Sequence, residues 1–592
     1  MDRSTLLWKS TLEGLIQIGS VAENSIDRRR SLVYTALVVE NLLSAFINST
    51  LPLDLSLEAL YGIGMVGKHQ MEQVLQVVEE IIVVKLLKVC LEGEFVQADT
   101  LISLLQFYSG RIISWLSDAG DVSEVAMQFA LHIWNQMENK NILKNIHVMG
   151  ILDALMMTMK HLVSVSTINH QSVILQKSHE IILKSVSCPT EWFATEWFPT
   201  EWFATAFQNP ELLMSSPSSS VEDLNLISLF ASVITAVSAQ TPLPPSNPNS
   251  SSNFVSNLFL FFFLRGHMPA AQALASTINK NPTDSKAIES CLSILSEDKT
   301  ENKQFFKKDI ITGFALIGKG LVMRGDDRSK EIIQFLLKLV ISSQHGLDAA
   351  LSAADGFHII MGDSDGCLNK KFHAVIKPLY KQRLYSTLVP VLLKSMKEAN
   401  SKEVVCRAFG HVISDAPLTA VIGEAHKILL AVAHSIITLS TDIQNKDVVY
   451  SLLLVLSGIL MDSTGKESII ENLHIVIGVL TQLVSYPHLM LVRETAIQCI
   501  TSMSTLPHSK IYPVKPQVLK AVTRALDDKR RAVRQEAVRC RQAWSRGNMH
   551  VRRYKLLGRS LKKVWTEMVY GSWAHLFIGF IRTPRVFPGK FV

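Results

Sequence analysis

The chain has 592 residues with 28 glycines and 20 prolines, about 5% and 3% against a usual 7% and 5%. Its 48% hydrophobic and 19% charged residues exclude wholesale disorder and the collagen-like, mucin-like and knottin classes, and so few turn residues exclude a body of many short strands. The net charge of +7 sits in residues 546–592, which hold ten Lys/Arg and one acid; the remaining 49 bases and 51 acids nearly balance, so the body is not a nucleic-acid-coating surface.

The start, Met-Asp-Arg-Ser-Thr-Leu-Leu-Trp, has no apolar core before Lys9 and does not read as a secretory signal. Gly62-Ile-Gly64-Met-Val-Gly67-Lys68-His69 matches both GxGxxG and GxxxxGK. A P-loop needs a hydroxyl where His69 stands, and a preceding strand where Leu55–Tyr61 reads as helix, so turn or packing glycines are expected. Met71–Val89 has a helical apolar period with Glu72, Glu79, Glu80, Lys85 and Lys88 between. Residues 1–188 are therefore expected to be helical repeats.

Residues 189–253 are expected to form a low-complexity loop region with one helix, Leu224–Ala236, inside it. Its first part repeats Thr-Glu-Trp-Phe around Trp192, Trp197 and Trp202. That tandem reads either as a tolerated loop expansion or as an aromatic docking peptide. Residues 240–253 read as linker. The apolar runs Phe254–Leu264 and Val448–Met461 are interrupted or shorter than a bilayer span. A soluble, intracellular chain with no membrane partner is expected.

Gly313-Phe-Ala-Leu-Ile-Gly318-Lys319-Gly320 fails the P-loop test as the first motif does, with glycine in the hydroxyl position. Asp363-Ser-Asp365-Gly366 lacks the closing glutamate of a calcium loop and reads as a connection between helices. No GxSxG or HExxH occurs, and His411 and His434 read as single helical histidines. The seven cysteines, Cys90, Cys188, Cys291, Cys367, Cys406, Cys499 and Cys540, are never closer than 39 positions, which excludes local zinc or iron–sulfur motifs. They read as small buried hydrophobes in a reducing compartment. No catalysis, metal or cofactor is expected.

Repeats organise residues 254–545, most clearly 380–545. Val492-Arg493-Glu-Thr-Ala496-Ile-Gln-Cys499 recurs 41 positions later as Val533-Arg534-Gln-Glu-Ala537-Val-Arg-Cys540. It recurs 44 positions earlier at Val448 with Leu452 in the alanine slot, and 44 earlier again at Val404 with Ala408. An apolar helix precedes each: Tyr385–Met396, Val421–Leu439, Ile469–Val484 and Pro516–Leu526. Ser468-Ile-Ile-Glu471 is expected to open one of them as a capping box. Two helices per unit of about 40–47 residues is the HEAT pattern, so the fold class is an all-α HEAT/armadillo-type solenoid. Asp528…Val533-Arg534…Ala537 resembles the HEAT inner-helix signature, in which Asp and Arg of adjacent units ladder along the concave face.

The last repeat carries a basic stripe, Arg524…Lys529-Arg530-Arg531…Arg534…Arg539-Cys540-Arg541. It reads as a solvated cap, as a docking face for an acidic partner or as a nucleic-acid contact. The tail 546–592 breaks the repeat pattern and reads as a non-homologous C-terminus or as a membrane- or partner-binding element.

Ile511-Tyr-Pro-Val-Lys-Pro516, Val518-Leu-Lys-Ala-Val-Thr-Arg524 and Asp527 through Ala537 to Trp544 resemble the C-terminal repeat of the methyl-methanesulfonate-sensitivity "nineteen" family. So do Pro269-Ala-Ala-Gln-Ala-Leu274, Ala353-Ala-Asp-Gly-Phe357 and Tyr380-Lys-Gln-Arg-Leu-Tyr385, in the family's order. The resemblance covers roughly 1–545 and implies the large scaffold of the cytosolic iron–sulfur assembly targeting complex. It implies two partners, a WD-repeat propeller and a small adaptor held by the C-terminal repeats. It also implies delivery of clusters to apo-enzymes of DNA metabolism, without direct nucleic-acid contact. On that basis Arg493, Arg524, Lys529, Arg530, Arg531 and Arg534 are the expected partner-binding residues. The family's N-terminal half is expected to be missing. The rival reading is a generic HEAT scaffold of the transport-receptor or phosphatase type.

Overall fold

The computed structural model describes residues 68–92, 98–113, 122–148, 150–186, 220–244, 254–281, 307–342, 346–364, 366–398 and 402–546, with 288, 289, 291, 292 and 295. Gly62 to Gly67, the Thr-Glu-Trp-Phe tandem, Cys188, most of the linker and the tail from 547 lie outside the described residues. Among the described residues there is no strand. The fold is all-α, of the helix-pair solenoid class. Two compact units are distinguished: residues to Cys291 with Gly366–Ala374, and Leu292–Asp365 with Val375 onward.

The first unit contains α1 (Lys68–Leu87), α2 (Ala98–Phe107), α3 (Val122–Gln136), α4 (Lys140–Val148), α5 (Ile151–Val165), α6 (Ile168–Ser185), α7 (Val221–Ala236), α8 (Phe254–Leu264) and α9 (Met268–Lys280). The helix expected inside a loop region is instead its hub. α7 packs against α4, α5, α6 and α9, and all but its first residues and Leu224 are buried. Its start is fixed by a capping box, in which Ser220 accepts from the Asp223 N–H and Asp223 accepts from the Ser220 N–H. Every side chain of α8 is buried, from Phe254 to Leu264, which explains why that helix is apolar all round.

The same unit buries two lysines, neither of whose ammonium groups pairs with a carboxylate among the described residues. Lys280 donates to the Thr235 and Val237 carbonyls at the end of α7, both at 2.7 Å. Cations suit those carbonyls, which have no intrahelical donor. Lys160 donates to Gln272 Oε1 at 3.2 Å and to the Gly366 carbonyl at 2.5 Å. Gly366 thus lies in the loop predicted for it. The segment 366–374 is held further by Phe372 against His161, a tilted ring pair with centroids 5.7 Å apart.

The second unit contains α10 (Lys308–Arg324), α11 (Ser329–Ser342), α12 (Leu347–Met361), α13 (Tyr380–Glu398), α14 (Lys402–Ser414), α15 (Leu418–Gly423), α16 (Ala425–Leu439), α17 (Lys446–Met461), α18 (Ser463–Glu471), α19 (Leu473–Leu483), α20 (Met490–Met503), α21 (His508–Ile511), α22 (Lys515–Ala525) and α23 (Arg531–Arg546). One row of helices packs successively, α10 on α12, then α14, α17, α20 and α23. A second row, including α11, α13, α16, α19 and α22, covers it. This is the pairing expected from the repeats. The predicted alanine slots Ala408, Leu452, Ala496 and Ala537 are all fully buried. At Gly410 a Cβ would stand 2.6 Å from Val448 Cγ1, so only glycine lets α14 approach α17 that closely.

One expectation fails locally. Ser468 lies inside α18 rather than at a helix start, so no capping box forms there. The Gly313–Gly320 motif lies within α10, with Gly313, Gly318, Lys319 and Gly320 buried, so its glycines are packing sites. The six described cysteines are buried, as read from the sequence. Among the described residues one helical stretch, Ile443–Met461, has the length and hydropathy of a membrane span, but 67% of it is buried within the protein.

Candidate functional site

The inner row of the second unit carries a polar ladder across its joints. It begins on α10, where Lys319 donates to the Gly362 carbonyl at the end of α12, 2.5 Å away. Between α12 and α14 the links are side chain to side chain. Arg407 grips Asp355 with two hydrogen bonds, 2.6 and 3.1 Å, and His411 Nε2 lies 3.2 Å from the same carboxylate. His358 Nδ1 lies 2.7 Å from Asp415 Oδ2, and the rings of His358 and His411 are 5.0 Å apart. Arg407 also donates to Asn445, which donates to Glu403.

The electrostatics follow from these partners. Burial alone would raise the Asp355 carboxyl, but hydrogen bonds from His411 and Arg407, with the Arg407 charge, bring it down to about 2. The Asp415 hydrogen bond raises His358, whereas burial lowers His411 despite its bond to Asp355. The two imidazoles are thus set apart, with His358 the one that takes a proton first.

The joints continue toward the C-terminus. Ser457 on α17 faces Cys499 on α20, and Thr501 on α20 faces Cys540 on α23; burial pushes both thiols up to about 12, and the hydroxyls offset part of that rise. Arg493 on α20 grips Asp528, which precedes α23, at 2.7 and 3.2 Å, and donates to the Tyr486 carbonyl at 2.9 Å. This is the Asp–Arg ladder that the repeat signature predicts. Arg534 donates to the Asp528 and Lys529 carbonyls and so braces the turn holding that aspartate.

The arrangement holds surfaces in register. Among the described residues no group of three His, Cys, Asp or Glu is placed to hold a metal ion. Ser123 and His170 pair at 2.7 Å in the first unit, but the Ser123 hydroxyl also accepts from the Thr167 N–H, which makes it a pin between α3 and α6.

A family model described as RNAPII transcription regulator C-terminal, of the MMS19 family, matches residues 152–504. The chain belongs to the MMS19 family. An MMS19 nucleotide excision repair protein homolog of Arabidopsis thaliana is 34% identical over 91% of this chain and 50% of its own length. Those of Xenopus laevis and Homo sapiens are 29% and 28% identical over 48% and 46% of this chain, and 27% and 26% of their own. The chain therefore spans about half the length, or less, of these relatives. Among solved structures, Kap121p bound to Nup53p aligns over 96% of this chain and 56% of its own at 12% identity, with a TM-score of 0.39.

The MMS19 match takes in the ladder from Lys319 to Arg493 and stops before the basic stripe. Of the stripe, Arg524, Lys529, Arg530, Arg531 and Arg534 are exposed. Arg493 is different: its side chain is 14% exposed and its guanidinium is engaged inside the chain. It is a strut of the joint. The cluster of Asp355, His358, Arg407, His411 and Asp415 was missed in the sequence. Its members come from two helices about 50 residues apart, and Arg407 lies outside the slot that Arg493 and Arg534 share, so no repeat comparison marks it.

Proposed function

We propose that this MMS19-family chain is a non-enzymatic scaffold of the cytosolic iron–sulfur assembly machinery. In this reading its C-terminal repeats hold a WD-repeat propeller and a small adaptor in the cytoplasm and nucleus. It recruits apo iron–sulfur enzymes of DNA metabolism, among them helicases, primase and polymerases. A link to nucleotide excision repair and transcription then needs no contact between this chain and DNA. The mechanism is proximity: a rigid row of helices raises the effective concentration of donor and client.

The observation that carries this reading is the laddered inner row. Side-chain pairs such as Arg407–Asp355 and Arg493–Asp528 fix each repeat to its neighbour, which keeps contact residues on separate repeats at constant spacing. Exposed Arg524, Lys529, Arg530, Arg531 and Arg534 supply the contacts at its end.

The test is a pull-down of purified propeller and small adaptor by the full chain and by the chain cut after Trp544. Retention by both forms supports the scaffold and makes the tail incidental. Retention by the cut form alone means the tail obstructs docking. Retention by neither, with the helical circular-dichroism spectrum intact, overturns the reading.

A further inference from the structure

The inner helices can be superimposed on one another by their repeat positions, and α23 departs from the others on one face. Phe409 on α14, Leu453 on α17 and Ile497 on α20 occupy one slot and are fully buried; in α23 that slot holds Val538, 45% exposed. Val412, Leu456 and Ile500 share another buried slot, which in α23 holds exposed Arg541. Ser457 and Thr501, which reach the cysteine of the following inner helix, correspond to exposed Gln542. In α17 and α20 this face receives the next inner helix. In α23 it is rewritten as arginine and amide.

The rewritten positions Val538, Arg541 and Gln542 share one stripe with Arg531 and Arg534, whose slots already hold Lys402 and Lys446, and Arg493, in other inner helices. Arg531, Arg534, Val538, Arg541 and Gln542 fall at i, i+3, i+7, i+10 and i+11, a single face about 16 Å long. The acid of α23 lies elsewhere: Glu536 is buried and accepts from Arg539. Asp528 nearby is engaged by Arg493. We propose that this stripe of α23 is a docking surface for an acidic helix of a partner protein, lying where a further inner helix would stack. The proposal rests on the scaffold reading and adds the place and the chemistry of one contact.

Charge complementarity selects the occupant. Guanidinium forks match carboxylates in pairs, and acids spaced three or four apart on a helix meet arginines spaced the same way. Val538 at the centre gives an apolar contact that a phosphate backbone would not use. Three guanidiniums on so short a face also neutralise few phosphates, whereas nucleic-acid binding depends on many.

The test uses the full chain with a photo-crosslinking amino acid in place of Val538. The probes are a synthetic Glu/Ala/Leu helix of about 18 residues, enough to cover the stripe, and a single-stranded DNA of equal charge. A covalent adduct with the peptide is expected, reduced about tenfold by R531E/R541E and little changed by K510E/K520E, at two exposed lysines of α21 and α22. Thermal melts confirm that both variants fold. An adduct insensitive to R531E/R541E overturns the proposal, as does an adduct with DNA alone, which would make the stripe a nucleic-acid contact. The scaffold reading fails separately: loss of propeller and adaptor retention with the peptide adduct intact would remove that reading and leave the docking surface standing.

Discussion

The two units solve the burial problem differently. The first surrounds a central helix, α7, with an aromatic core that includes Phe230, Phe259 and the fully buried α8. It then satisfies buried carbonyls with two lysines, Lys160 at the loop residue Gly366 and Lys280 at the end of α7. The second repeats one slot pattern along a row of helices and ties the joints with ion pairs. Enclosure of a single hub leaves little reason for side chains to recur at a fixed spacing. Stacking along a row requires it, because each helix must fit the one before.

The largest effects should come from buried apolar positions in both units. Phe230→Ala is expected to cost about 3–5 kcal/mol and Leu453→Ala about 2–5 kcal/mol, since both are fully buried. Hydrogen exchange should sharpen the contrast. Leu453→Ala should raise exchange most in α14, α17 and α20, whereas Phe230→Ala should raise it across α4 to α9 together. Identical patterns in both variants would break the distinction between a stacked row and an enclosed hub.

Next is the Arg493–Asp528 joint. Arg493→Ala leaves Asp528, 12% exposed, without its fork and should cost about 2–4 kcal/mol. Arg493→Lys should recover only part of this, since lysine lacks the planar fork. Denaturant unfolding measures both. Full recovery of stability in the lysine variant would show that geometry at this joint is unimportant.

How much of this was legible in the sequence follows the same division. The slots of Ala408, Leu452, Ala496 and Ala537 could be read because stacking forces recurrence, and the Asp528–Arg493 pair came with them. The hub α7 could not: it is flanked by low-complexity sequence, and its burial is set by four helices at unrelated spacings. The Asp355–Arg407–His411 cluster was hidden for a related reason. Polar partners between two particular helices need not recur in other repeats.

Smaller effects concern protons. Burial lowers Lys280 to about 7. Between that value and the normal lysine range the unfolded chain binds more protons, so this group makes stability rise with pH across about 7–10. Lys280→Met should flatten that rise in melting temperature; an unchanged slope would show that Lys280 stays charged in the fold. His358 is raised by Asp415, so its contribution is present below the unfolded value and lost as pH rises through the folded one. His358→Gln should lower the melting temperature below about pH 6 by at most about 2 °C, the scale of an exposed ion pair, and have less effect at pH 8.

The central claim is that the regular row, with its inner helices and the end of α23, is the part of this chain that holds partners. Hydrogen exchange of the full chain with and without purified propeller and small adaptor tests it most directly. The account predicts protection concentrated in 402–546, strongest at α20 and α23. Protection confined to 68–281, or none while the two proteins remain bound, would contradict it.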